Sequence, residues 1–232
     1  YPKAFRDRIS VIHDGIDTSK ACPAETPRDI TLPDGTPLKA GESIVTFVNR
    51  SLEPYRGCHS MIRAIPHLQR LAPEAKLVIV GNTSGVSYGA ICPEGEWKDV
   101  FLKEIEGDYD PKRVHFTGMV PYSDFIPLLQ LSKAHVYLTY PFVLSWSLLE
   151  AMSCGCAVVG SNTAPVREVI EHRQNGLLVD FFQPDQLAES IAELLSNRAL
   201  ANELGHAARK TILQRFELKA CVEQQLALIH LV

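Results

Sequence analysis

Apolar residues fall along this chain in two alternating rhythms. Ile44–Asn49 (IVTFVN), Lys76–Val80, Val114–Thr117, Ala134–Tyr140, Cys156–Gly160 and Leu177–Val179 are short, nearly unbroken apolar runs. Their β-branched and aromatic content fits strands buried in a parallel sheet. Between them the spacing turns helical. Met61, Ile62, Ile65 and Leu68 mark one face of a helix over Cys58–Leu71, and Glu96–Glu106 carries a single apolar stripe. Helices are also expected over Phe125–Leu131 and Leu148–Ser153, and another should stop near Asn175-Gly176. Pro184 sits where a first helical residue belongs and opens a helix to Leu195. Ala199–Phe216 and a stretch from Glu217 complete the helices. Strand and helix alternating through short loops predict an α/β fold with a doubly wound, Rossmann-like parallel sheet.

The first 43 residues break this rhythm. Ile9–His13 reads as a short strand turned by Asp14-Gly15, and 18–43 is rich in Pro, Thr, Asp and Gly. Within it, ITL and TPL flank a PDG turn, which predicts a hairpin without assigned chemistry. The expected layout is a hairpin-bearing segment over 1–43, the Rossmann-like domain over 44–215, and a terminal helix over 216–232.

Composition narrows the function classes. The chain is 46% hydrophobic and 22% charged, with a net charge of −4 and no dense Lys/Arg run. No electrostatic footprint for nucleic acid is present. Six cysteines form neither a CxxC pair nor a zinc spacing, so Cys154-Gly155-Cys156 reads as buried thiols, and a reducing cytoplasm is the expected compartment. The longest apolar stretch, 134–149, is interrupted by His135, Pro141 and Ser145. It falls short of the roughly 20 residues a spanning helix needs. The opening YPKAFRDRIS reads like the middle of a protein, with no signal peptide. Asp108-Tyr109-Asp110 has the letters of a metal motif, but it lies in a polar turn before Pro111 and no metal is expected there.

Two stretches carry candidate chemistry. Arg50 and Arg56 bracket one strand-to-helix loop, so both guanidiniums can converge on an anion above the sheet edge. Two solvated arginines are the plain alternative. Further on, Ser145–Ser147 precedes the helix that carries Glu150. A strand feeding the positive end of a helix is where anionic ligands sit in α/β sheets. Ser147-Leu148-Leu149-Glu150 also fits a capping box, in which Glu150 would only satisfy a backbone N–H.

The string LLEAMSCGCAVVGS resembles the second half of the E-x7-E signature of retaining GT-B glycosyltransferases of the family 4 type. FVNRSLEPYRG is similar to that family's G-R-L-x-x-x-K-G, HFTGMVPYSDF to its F-x-G-x-V loop, and ISVIHDGID to its V-I-P-N-G-V-D. The resemblance covers most of the chain and implies the donor-binding, C-terminal half of such an enzyme, with the acceptor domain absent. It implies that Arg50 and Arg56 are catalytic, holding the departing diphosphate, with Arg56 in place of the family's Lys. It gives Glu150 to the donor ribose and the backbone at Met119 and Val120 to the nucleobase. Ser145, Trp146 and Ser147 would offer N–H groups, and Gly81 would lie near the base. Phe142 stands where the family has its first Glu, and Phe cannot accept a hydrogen bond. The implied donor is a UDP-, GDP- or ADP-sugar with no separate cofactor. The implied acceptor is a saccharide or a lipid-linked hydroxyl reached through the absent domain, with any peripheral membrane contact, at the inner face, also made by that domain. A catalytically degenerate nucleotide- or partner-binding module is the alternative that Phe142 favours.

Overall fold

The computed structural model describes residues 2–140 and 143–230, with His230 by its backbone alone. Six parallel strands form the sheet: β3 (Ile44–Ser51), β4 (Lys76–Asn82), β5 (Val114–Gly118), β6 (Ala134–Tyr137), β7 (Val158–Ser161) and β8 (Leu177–Val179). Their order is β5-β4-β3-β6-β7-β8. The chain winds outward one way from β3 through β4 to β5, then returns to lay β6 on the other flank of β3. That reversal opens a crevice at the carboxyl ends of β3 and β6, the usual ligand position in such sheets.

Helices cover both faces. α1 (Cys58–Leu71), α2 (Trp97–Glu104) and α6 (Pro184–Ser196) pack on one side. Their core joins Phe47, Ile62, Ile65 and Leu77 to Ile191 and Leu194. α3 (Tyr122–Leu131), α4 (Trp146–Ser153) and α7 (Arg198–Arg215) pack on the other, around Val48, Val78, Leu129, Met152 and Ile212. The near-continuous burial of β3, β4, β6 and β7 follows from this double cover. α5 (Ala164–Arg167) is one short turn, and α8 (Leu218–His230) ends the chain.

The hairpin forms as expected: β1 (Ile30–Thr31) pairs antiparallel with β2 (Pro37–Leu38). Asp34 in its turn accepts a hydrogen bond from His115 of β5 at 2.9 Å, which fastens the hairpin to the sheet edge.

Several expectations need correction. Ile9–His13 is not a strand. A 3-10 turn over Lys3–Arg8 precedes it, and the first sheet-like contact is a single bridge from Ile16 to Glu217. The chain there meets the end of α7 instead of the sheet, with Ile16 N donating to Phe216 O. β6 stops at Tyr137 rather than Tyr140. Beyond it the backbone bends to other partners, with Thr139 N donating to Ser161 Oγ and Tyr140 N to Tyr55 O. The helix expected to run towards Asn175-Gly176 ends at Arg167. Asn175 instead folds back, its side chain accepting from Glu171 N and donating to Val169 O.

Candidate functional site: a cleft at the carboxyl edge of the sheet

The crevice beside β3 is a cleft of about 390 Å³. Val48, Asn49 and Arg50 enter from the end of β3, and Arg56 from the turn that follows. Met119, Val120 and Tyr122 enter from the β5–α3 junction. Ser145, Trp146, Ser147 and Glu150 enter from the start of α4. The two arginines and the acidic residue, distant in sequence, therefore line one cavity.

Local sequence explains each wall. β3 runs past Asn49, so Arg50 stands within the strand, and its side chain is exposed at the strand's end. Pro54 then starts a single 3-10 turn that stops at Gly57, whose φ of 73° is left-handed. A Cβ at Gly57 would press into the Leu138 side chain, so both conformation and space call for glycine there. The turn sets Arg56 only 9% exposed. Its Nη1 donates to Thr139 Oγ1 at 3.4 Å, its carbonyl accepts from Asn49 Nδ2 at 3.3 Å, and its guanidinium lies 5.3 Å from the centre of the Tyr88 ring.

A residue that sequence reading missed organises this corner. Glu53 is fully buried, and its Oε2 accepts from the backbone N–H groups of Ser87 (2.8 Å) and Tyr88 (2.9 Å). Ser51 Oγ also meets Ser87 Oγ at 2.8 Å. The Gly/Ser loop after β4 is thus fastened to the Arg50–Arg56 loop and holds Tyr88 under Arg56.

On the opposite wall, Ser145 is the N-cap of α4, so Glu150 lies too far along the helix to close a capping box. Its Oε1 instead accepts from the Tyr122 hydroxyl at 2.9 Å. Burial raises the pKa of Glu150, and that hydrogen bond partly opposes the rise. The Tyr122 hydroxyl is pushed up by burial and by the same carboxylate. The Ser145 and Ser147 hydroxyls bond to each other at 2.5 Å, and Ser145 N donates to the buried Tyr137 hydroxyl at 2.9 Å. Trp146 is 60% exposed, and its Nε1 donates to Asp14 Oδ2 at 3.2 Å. Met119 is exposed beside it.

Gly81 does not line the cleft. Its position is buried against the Asn49 carbonyl and Leu52, so its smallness serves strand packing. Phe142 lies outside the described residues. Asp110 caps the 3-10 turn after it, accepting from Lys112 N at 2.9 Å. Cys154 and Cys156 are buried thiols, and burial pushes Cys154 up to about 12. No described helix is long and apolar enough to cross a membrane.

Comparison with known proteins agrees with this architecture. An uncharacterised glycosyltransferase of Methanocaldococcus jannaschii is 30% identical over 179 residues, spanning 77% of this chain and 42% of that protein. The chain spans about half the length of the curated relatives it matches. Sucrose-phosphate synthase from Thermosynechococcus elongatus superposes with a TM-score of 0.79 at 21% identity, over 98% of this chain and 55% of that one. Anabaena HepE, solved in complex with UDP-glucose, gives 0.73 at 20% identity over 96% and 57%. The shared fold is the Rossmann-like half of a GT-B glycosyltransferase. The family model for glycosyl transferases group 1 matches residues 31–211, and the chain belongs to that family.

Proposed function

We propose that this chain is the donor-binding part of a retaining glycosyltransferase of the family 4 type. It moves a sugar from a nucleotide diphosphate to a hydroxyl of a saccharide or lipid-linked acceptor. One observation carries the reading: Arg50, Arg56, the amino end of α4 and Glu150 line a single cleft at the sheet's switch point. Two cationic forks and free helix N–H groups suit a diphosphate, whose charge grows as the sugar bond breaks. Fixed donors of this kind stabilise a leaving group without reorganising at the moment of reaction. Glu150 accepts from ribose hydroxyls, exchanging its present partner Tyr122. The backbone at Met119 and Val120 borders the base. That HepE was solved with UDP-glucose supports the donor class, UDP-, GDP- or ADP-sugar. The acceptor groove and any base belong to a second domain, in the cytoplasm or at the inner membrane face. The chain alone then binds donor weakly and transfers nothing.

Arg50→Ala tests the reading. We expect UDP affinity to fall by at least roughly tenfold, since a hydrogen bond to a charged group is worth about 1.5–3 kcal/mol. Uridine affinity should barely change. Equal losses for both ligands, read by calorimetry, would remove the arginine from the phosphate. Phe142, in place of an expected Glu, favours a second reading as a non-catalytic module. Donor binding without product, in the enzyme carrying both domains, would select that one.

A further inference from the structure

Beside the Pro54–Arg56 turn lies a second concavity, of about 400 Å³, that the donor reading does not use. Its walls are rings. Trp97 is stacked on Phe101, with centroids 5.5 Å apart and planes 11° apart. Tyr140 is stacked on Phe181 at 5.4 Å, and Phe182 stands edge-on to both. His59 sits between Phe101 and Phe181, and Tyr55 closes the side nearest the donor cleft. Tyr55, Tyr140 and Phe182 are 43%, 44% and 58% exposed, so these aromatic surfaces meet solvent.

The chemistry of the lining selects among ligands. Among the described residues, no aliphatic side chain other than that of Pro54 lines the trough, which argues against an acyl chain. The charge that reaches it is neutralised, because Arg63 makes a two-pronged pair with Glu104 at 2.6 and 2.9 Å. Burial also lowers the pKa of His59, keeping it neutral. An anion therefore gains little here. Flat, electron-rich faces attract the weakly positive C–H face of a sugar ring, and a few polar groups at the margin fix its hydroxyls.

We propose that this trough binds a neutral pyranose ring of a saccharide chain, stacked on Tyr55, Tyr140 and Phe182. Tyr140 N donates to Tyr55 O at 3.0 Å, and Tyr55 is the neighbour of Arg56. The trough thus hangs on the loop that carries the diphosphate arginines. Its role as a subsite for the acceptor or the growing product rests on the function proposed above, whereas saccharide binding does not.

Amide NMR of the chain, titrated separately with maltohexaose, a mannohexaose and dodecyl phosphate, tests this. Either hexaose should shift resonances around Tyr55, Trp97, Tyr140 and Phe182, and saturating UDP should leave those shifts in place. Tyr55→Ala and Phe182→Ala should each weaken the hexaose by about tenfold, the scale of an aromatic contact with its buried area. Tyr55→Trp should retain binding, which separates a lost ring face from a lost fold. Silence with both hexaoses would overturn the proposal. So would shifts confined to the donor cleft, a response to dodecyl phosphate alone, or unchanged affinity in both alanine variants. Loss of UDP selectivity with the hexaose response intact would discard the donor reading and leave the trough standing.

Discussion

Glu150 holds a carboxyl on partly buried ground, and its pKa is raised chiefly by that burial. A carboxyl raised on folding favours the folded state at low pH and loses that contribution as pH climbs through the raised value. Glu150→Gln removes the ionised group and leaves an oxygen for Tyr122. The expected melting temperature at neutral pH is equal to or slightly above that of the parent, with the difference closing below about 4.5. UDP affinity should fall roughly tenfold. A clear drop in melting temperature at neutral pH would show that the charge supports the fold. His135 works in the opposite sense. It is completely buried, its Nδ1 lies 2.9 Å from Thr46 Oγ1, and burial pushes its pKa down to about 3 from an ordinary 6.5. Across that window the unfolded chain takes up a proton that the folded chain refuses, so stability falls as pH falls. By about pH 5 the loss from this one group is about 2 kcal/mol. Urea unfolding of His135→Gln should therefore show a smaller decline between neutral pH and about pH 5 than the parent. Parallel declines would assign the acid sensitivity elsewhere.

At the scale of elements, the loop after β4 is held by a carboxylate rather than by its own packing. Glu53→Ala leaves the N–H groups of Ser87 and Tyr88 without their acceptor, a cost of about 2–4 kcal/mol. Hydrogen exchange should quicken over 83–95 while α1 stays protected. Unchanged exchange in that loop would show that Glu53 does not fasten it. This coupling was invisible in the sequence, because a glutamate in a polar loop resembles any solvated glutamate until the loop it grips is in place. Other elements were legible. α1 has the bounds its apolar spacing predicts, and β8 matches its short apolar run between Gly176 and Asp180. Both are decided by residues within a turn or two. The end of β6 is not, because its apolar letters continue while β3 stops pairing with it at Val136 and β7 at Tyr137. Likewise Ser147 and Glu150 have capping-box spacing, yet the helix starts two residues earlier than that box requires.

Across the whole molecule, Arg209 of α7 ties together two segments distant in sequence, the turn over 18–21 and the end of α4. Its guanidinium donates to the carbonyls of Thr18 (2.9 Å), Ala21 (2.8 Å) and Ser153 (2.8 Å). Removing it strips partners from these carbonyls, so Arg209→Ala should cost about 2–4 kcal/mol in denaturant unfolding. Exchange should rise first over 13–21. A loss below about 1 kcal/mol would mean that water replaces the side chain. Such long-range ties, like the Tyr122–Glu150 and Trp146–Asp14 bonds, carry no local signature. The convergence of Arg50, Arg56 and Glu150 was legible through motif likeness and the strand–helix alternation. Tyr122, which bonds Glu150, Tyr88, which lies under Arg56, and Asp14, which bonds Trp146, were not, because each comes from a segment with another evident job.

The reversal in strand order has a mechanical consequence. β3 to β5 and β6 to β8 are two runs that each wind locally, and within the sheet they meet where β3 lies against β6. The arginines belong to the first run, and Ser145 to Glu150 belong to the second. A molecule gripped by both would act as a rivet through that joint, resisting any separation of the halves. Binding energy and the cohesion of the domain are then one quantity measured in two ways.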